Sequence, residues 1–429
     1  MDLAATFRAL RHPNFRLFFA GQLVSLTGTW MQSVAQSWLI YRLTGSAALL
    51  GAVGFTSQFP VFLLAPVGGI VADRFPRRTV LIATQTTAMF LAGLLAAVTL
   101  TEGVRVWQIF VLGALLGVVN AFDIPARQAF VVEMVARPDL MNAIALNSAM
   151  FNGARIVGPA IAGVLVASIG EGWCFFANAV SYLAVIGGLL RMRIPRDAIA
   201  PFATSALEHV LEGFRFAART TPIRALLLLL GLVSLVAMPY AVLMPIFADQ
   251  ILHSGARGLG ILMGASGCGA LFGALALAAR RELRGLGRWV AVAMAGFGVS
   301  LIGFALSRSF WLSAALLVPV GGCMMVQMSA SNTLIQAMVP DTLRGRVMAI
   351  YSMMFMGLAP VGALLAGTLA SHIGAPAMVA TGGGLAILGA IGFGLRLPAL
   401  RPDARRLIVA QQLAGGDPDQ LPPPASDSR

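Results

Sequence analysis

The chain reads as an all-α membrane protein: twelve transmembrane helices in two pseudo-symmetric six-helix halves. Three observations predict this. Of 429 residues, 58% are hydrophobic and 11% charged, against about 25% charged in soluble domains, so most of the apolar excess must face lipid rather than water. Mean hydropathy is +0.84, and apolar runs of about 20 residues, enough to cross a hydrocarbon core, recur along the chain. Finally, displacing the chain by 204 positions lays Ala145–Gly170 on Ala349–Gly374 with 12 identities in 26 positions, among them Gly158 on Gly362 and Gly163 on Gly367. That repeat pairs span five with span eleven and divides twelve spans into six and six. Parallel repeats of this kind, with a site between the halves near the midplane, are one plan for secondary transporters.

The elements follow in order. Residues 1–16 form an arm, and residues 17–190 the first half. Its spans are Leu17–Tyr41, Ala47–Ala72, Thr79–Leu100, Val106–Ala126, Ala143–Ile169 and Trp173–Leu190. The first run is too long for a signal-peptide core and carries no small-residue cleavage pattern, so it is expected to stay as a span. Residues 191–224 link the halves. Within them, Ser205–Arg219 places Leu207, Val210, Leu211, Phe214 and Ala218 at helical spacing opposite acids and arginines, which suits either an amphipathic helix on the inner membrane face or a solvated linker helix. Residues 225–395 form the second half, with spans Ala225–Leu252, Leu259–Ala279, Trp289–Ser307, Trp311–Val339, Met348–Leu369 and Ala377–Leu395. Residues 396–429 read as a largely disordered tail, the composition turning to Pro, Asp, Gln and Ser.

All 30 basic residues are arginine. Twenty-five fall in the two termini and the loops on the same side, and four, Arg42, Arg105, Arg257 and Arg308, on the other. The positive-inside rule then places both termini in the cytoplasm, with the protein in the plasma (inner) membrane. Because the arginines occupy short gaps and not one folded stripe, nucleic acid is excluded as a partner. Cys174, Cys268 and Cys323 lie inside apolar runs and read as core thiols. The four histidines are scattered, and neither a metal-spaced cluster nor a phosphate-binding glycine loop occurs, so no metal, cofactor or enzymatic chemistry is predicted. Without an ATP site, an ion gradient is the expected energy source.

Between spans two and three stand Gly69, Asp73, Arg74, Arg77 and Arg78. Gly69 would let span two pack closely on a neighbour, Asp73 could accept from an arginine or a helix N-terminus, and the arginines would meet anionic lipid. The pattern resembles the signature loop of the major facilitator superfamily, with Pro76 where the family usually has glycine. The resemblance implies a conformational latch. Span five carries Gly158, Pro159, Ala162 and Gly163, similar to the family's exporter-associated motif with alanine at two of its glycine positions. Proline there removes a backbone donor among small, close-packing residues. With Arg11–Arg16, Ala121–Gln128 and Asp341–Met348, the resemblance narrows to the branch holding the enterobactin exporter and related drug antiporters. It departs at Gly113, where family drug antiporters often carry an arginine.

Charge inside a membrane is costly and marks function. Arg155 should lie near the midplane, and Asp123 near the cytoplasmic end of span four with Arg127 one turn away. These three are the coupling candidates. Polar, methionine and aromatic residues on the spans suggest a cavity for a bulky amphiphile: Trp30, Gln32, Gln36, Asn147, Asn152, Tyr240, Met244, Gln327, Asn332, Tyr351 and Met354, each alternatively bound to a neighbouring helix. The expectation is a monomeric secondary transporter surrounded by membrane lipid, exporting a siderophore or drug-like small molecule against protons. A lipid or lysophospholipid translocator on the same fold and a non-transporting membrane sensor or scaffold are the alternatives.

Overall fold

The computed structural model describes residues 7–193, 206–280 and 285–413. They are almost entirely helical. Twelve long helices follow one another: α1 (Pro13–Thr44), α2 (Ala47–Arg74), α3 (Arg77–Leu100), α4 (Val106–Met134), α5 (Leu140–Ile169), α6 (Glu171–Arg191), α7 (Thr221–Ile251), α8 (Gly255–Ala278), α9 (Leu286–Leu306), α10 (Phe310–Met338), α11 (Asp341–Ile373) and α12 (Ala375–Leu413). Eleven are long and apolar enough to cross a membrane. The exception is α1, which is 32 residues long but interrupted by Gln22, Ser25, Gln32 and other polar residues. Those three side chains are buried within the bundle, so the helix shields its polarity from lipid.

Local chemistry sets the short connections. α1 opens with Pro13, whose missing N–H costs nothing in a first turn, and closes on Gly45 at φ 59°. Ser46 then caps α2, accepting from the Leu49 N–H at 3.3 Å. α5 and α11 end on Gly170 and Gly374 at φ 89° and 84°. These glycines are equivalent under the sequence repeat, which therefore extends to the backbone of the caps.

Packing follows the same symmetry. In the first half α1 packs on α5 and α6, α2 on α4, and α3 on α4 and α6; in the second, α7 packs on α11 and α12, α8 on α10, and α9 on α10 and α12. The halves meet where α5 packs on α8 and α11 on α2. Six is added to every helix number on passing from one half to the other.

Most boundaries lie within about four residues of the sequence reading, but α4 runs on to Met134 past Ala126 and α11 starts at Asp341 ahead of Met348. α1 starts at Pro13 instead of Leu17, because the proline nucleates the helix before the apolar run begins. α12 runs on to Leu413, past Leu395, because Leu397, Leu400, Ala404, Leu407 and Ile408 continue an apolar stripe that packs on the core. The segment 396–413 is thus helical, and the remaining tail lies outside the described residues. The linker forms a helix over Ala206–Arg219, with Glu212 paired to Arg346 at the start of α11.

Candidate functional site: the path between the two halves

At the arginine-poor end the halves are in backbone contact. A Cβ on Gly260 of α8 would lie 2.6 Å from the Pro159 carbonyl oxygen and 2.8 Å from Gly163 Cα, both on α5. In the equivalent place, a Cβ on Gly367 of α11 would lie 2.5 Å from the Ala47 carbonyl oxygen and 2.7 Å from Gly51 Cα, both on α2. Two glycine seams thus zip the halves, and the Gly158–Gly163 motif supplies one side of the first. Gly158 itself turns toward α1, where a Cβ would meet Trp30 and Thr27, and Ala162 is fully buried. Beside the seams, the Tyr41 hydroxyl of α1 donates to Asp249 Oδ2 of α7 at 2.8 Å. Arg42 reaches Glu171 of α6 through Nε and Nη2 at 2.8 and 3.2 Å, bracing the first half.

At the arginine-rich end the loop acids are exposed: Asp73 is 66% exposed with Arg77 Nη2 at 3.9 Å, and Asp341 at the start of α11 is 69% exposed. Arg74 is exposed as well. Arg77 is held mainly by Glu133 of α4, at 2.7 Å, and Arg78 donates to the Leu189 and Leu190 carbonyls at 2.7 and 2.9 Å, capping the end of α6. Gly69 does not perform the packing expected of it, since a side chain there would meet open space. Its neighbour Gly68 does, facing the Ala121 carbonyl of α4 so closely that no Cβ fits. In this conformation the loop is tied to its own half and Asp73 is free to engage another partner.

Asp123 sits in a polar pocket inside the first half, 4% exposed. Its Oδ1 accepts from Thr84 Oγ1 at 3.0 Å and Gln85 Nε2 at 2.7 Å, and Oδ2 lies 3.2 Å from Arg127 Nη2. Arg127 in turn donates to Gln22 Oε1 at 3.4 Å. Gln22 Nε2 and Gln85 Oε1 are buried without a partner. Thr84 and Gln85 are not among the residues the sequence singles out, although a Thr–Gln pair inside an otherwise apolar span is the available signal.

Arg155 lies halfway along α5, partly exposed, with its guanidinium carbon 5.9 Å from the centroid of the Trp30 ring. Trp30 meets Phe151 edge-on at 5.7 Å. Gln36, Asn147, Asn152, Asn332 and Met354 are likewise partly exposed, as the cavity reading expects. Five other expected lining residues turn away from any opening. Gln32 accepts from Asn178 of α6 at 2.7 Å, Tyr240 shares a 2.8 Å hydrogen bond with Ser266 of α8, and Tyr351 donates to the Met328 carbonyl of α10 at 3.0 Å. Met244 and Gln327 are each 1% exposed. Polar groups in lipid bond first to neighbouring helices, as Gln32, Tyr240 and Tyr351 do, and methionine fills gaps between them; Gln327 instead donates to Ser331 of its own helix at 3.5 Å and leaves its Oε1 buried without a partner. Gly113 completes the picture, because a Cβ there would lie 2.6 Å from Ser57 Oγ and 3.3 Å from Gln36 Nε2. The space an arginine would need at that position is filled.

Among known proteins, residues 4–413 match the family model described as transmembrane secretion effector, of the MFS class. The staphyloferrin A transporter of Staphylococcus aureus is 23% identical over 365 residues, covering 84% of this chain and 90% of the relative. The enterobactin exporter EntS of Shigella boydii is 27% identical over 382 residues, covering 89% and 91%. Among solved structures, the nucleoside transporter NupG superposes with a TM-score of 0.69 at 14% identity over 90% of this chain and 99% of its own. A bacterial homologue of the iron transporter ferroportin in its inward-facing state does so with 0.65 at 16% over 89% and 97%. The repeat, the twelve-helix bundle and the full-length family match agree: this chain belongs to the transmembrane secretion effectors of the major facilitator superfamily and is a multi-pass membrane transporter.

Proposed function

We propose that the protein is a proton-coupled exporter of the inner membrane, moving a siderophore or amphiphilic drug-like molecule by alternating access. The observation that carries this reading is the asymmetry between the two ends of the bundle: glycine seams and Tyr41–Asp249 join the halves at one end, while Asp73 and Asp341 stand exposed at the other. The arginine-rich end is then cytoplasmic, with both termini, by the positive-inside rule. Substrate enters from the cytoplasm, rocking of the halves breaks the seams, and Asp73 and the loop arginines latch the newly closed end. Asp123 with Arg127, and Arg155, are the intramembrane charges through which coupling would act when the halves move.

Inside-out membrane vesicles test this directly. Candidate siderophores and toxic amphiphiles should accumulate when an acid-inside gradient is imposed, and collapse of the gradient by an uncoupler should abolish accumulation. Accumulation that persists with no proton gradient overturns the coupling. Movement restricted to lysophospholipids assigns the translocator reading instead.

A further inference from the structure

Arg155 has no carboxylate partner among the described residues. Each acid that approaches the interior is engaged elsewhere: Asp123 with Arg127, Thr84 and Gln85, Glu171 with Arg42, Asp249 with Tyr41, and Glu133 with Arg77. A guanidinium at the middle of a spanning helix is expensive to keep, and it cannot escape by losing its proton. Packing does not require it either. The repeat places Ala359 of α11 at the equivalent position, where an uncharged methyl serves the same fold.

Its surroundings are those of a binding site. The guanidinium lies over Trp30 of α1, Trp30 meets Phe151 of α5, and Phe151 is 43% exposed. Across the seam, the Arg155 carbonyl faces Gly267 of α8. Arg155 therefore stands where α1, α5 and α8 come together, at the contact between the halves. The contact of the guanidinium with the indole, at 5.9 Å, uses none of its N–H groups in a hydrogen bond among the described residues. That fork matches a carboxylate or phosphate bidentately.

We propose that Arg155, stacked on Trp30, is the anion-recognition residue of the central path, and that the transported molecule joins a carboxylate or phosphate to an aromatic or acyl body. This rests on the export reading and names the substrate class of its site. An anionic group would neutralise the midplane charge when it arrives. Phe151 and Trp30 would take the apolar body.

The test uses the full chain purified in detergent and reads binding by tryptophan fluorescence, with a panel of aryl and acyl carboxylates, each beside its methyl ester, and lysophosphatidate beside the matching monoacylglycerol. Acids should bind the wild-type protein at least about tenfold tighter than their esters. Arg155→Gln should bring that ratio to about one, and Arg155→Lys, which keeps the charge without the fork, should fall between. Preference for aryl acids assigns a soluble substrate, and preference for lysophosphatidate a lipid-derived one. A wild-type ratio near one, failure of every acid to bind, or a ratio that survives in Arg155→Gln overturns the proposal. Vesicle uptake of the esters separates the two readings, because esters that are exported without charge preference leave the transporter assignment standing and remove the anion site alone.

Discussion

Gly260→Ala places one methyl group into the seam between α5 and α8. The added carbon would sit 2.6 Å from the Pro159 carbonyl oxygen and 2.8 Å from Gly163 Cα, whereas unstrained carbon contacts need about 3.5 Å or more. Both obstacles are backbone atoms, so no side-chain rotation relieves them and α8 must withdraw by roughly 1 Å. Overpacking of this kind costs about 1–3 kcal/mol, and it is charged to one conformation, since the seam is parted when the bundle opens at this end. The equilibrium should move toward the state open at the arginine-poor end by about 5- to 140-fold, at 1.4 kcal/mol per tenfold. Spin labels at the exposed positions Ser168 and Arg257, in a background with Cys174, Cys268 and Cys323 replaced by alanine, would report the distance between the two helix ends. The long-distance population should rise, and transport should slow because the return step becomes unfavourable. Gly153→Ala is the control, as a side chain there meets open space. An unchanged distance distribution together with normal transport would refute the claim that the glycine seams are the moving contact.

Tyr41→Phe removes the hydroxyl that donates to Asp249 and should shift the same equilibrium in the same direction by about 0.5–1.5 kcal/mol; identical label distances in the variant would make the bond incidental. Asp73→Asn should leave the melting temperature nearly unchanged, because the side chain is 66% exposed and its nearest arginine stands at 3.9 Å, yet export should fall sharply, and full export in a twofold-sensitive assay contradicts the latch. Asp123→Asn leaves Arg127 buried without its carboxylate and should both lower thermal stability and flatten the pH dependence of transport, whereas undiminished substrate-induced proton release would leave Asp123 a structural partner of Arg127.

The features legible in the sequence are those whose partners are close along the chain or whose signal is length. Spans declare themselves by apolar runs, and the repeat by identities that prove to include both helix-ending glycines, Gly170 and Gly374. The Asp123–Arg127 pair, one helical turn apart, is of the same kind. Direction is what composition lacks. Gly68 and Gly69 are adjacent, separated by about 100° around the helix, and the position of α4 decides which of them must be a glycine. Gln32, Tyr240 and Tyr351 are polar residues on apolar helices, the pattern of a cavity, but a neighbouring helix satisfies a buried amide or hydroxyl as well as a cavity does. Thr84 and Gln85 reach Asp123 from another helix, across 39 and 38 positions of chain.

The repeat also shows where symmetry is given up. Both halves use the same helix neighbours and both carry prolines inside their helices, Pro60, Pro66, Pro125 and Pro159 in the first. Among the described residues, however, the helix leaves regular α geometry only in the second, near Pro239 and Pro245 in α7 and near Pro360 in α11, at the position equivalent to Ile156. Each removes a backbone donor, and the helices respond with wide π turns at Val233–Ala237, Phe247–Ile251 and Met353–Gly357 and a tighter 3₁₀ stretch at Met238–Leu243. Carbonyls freed in a lipid-surrounded bundle must find other donors. The Ser234 hydroxyl, from one wide turn, donates to the Phe355 carbonyl in another at 2.6 Å and joins α7 to α11. A turn that already lacks its regular ladder bends at less cost than one that must first break it. The first half, in contrast, is braced by Arg42–Glu171, Arg77–Glu133 and the Asp123 pocket. Rocking therefore falls to a stiff first half that carries the charges and a compliant second half that absorbs the change of shape.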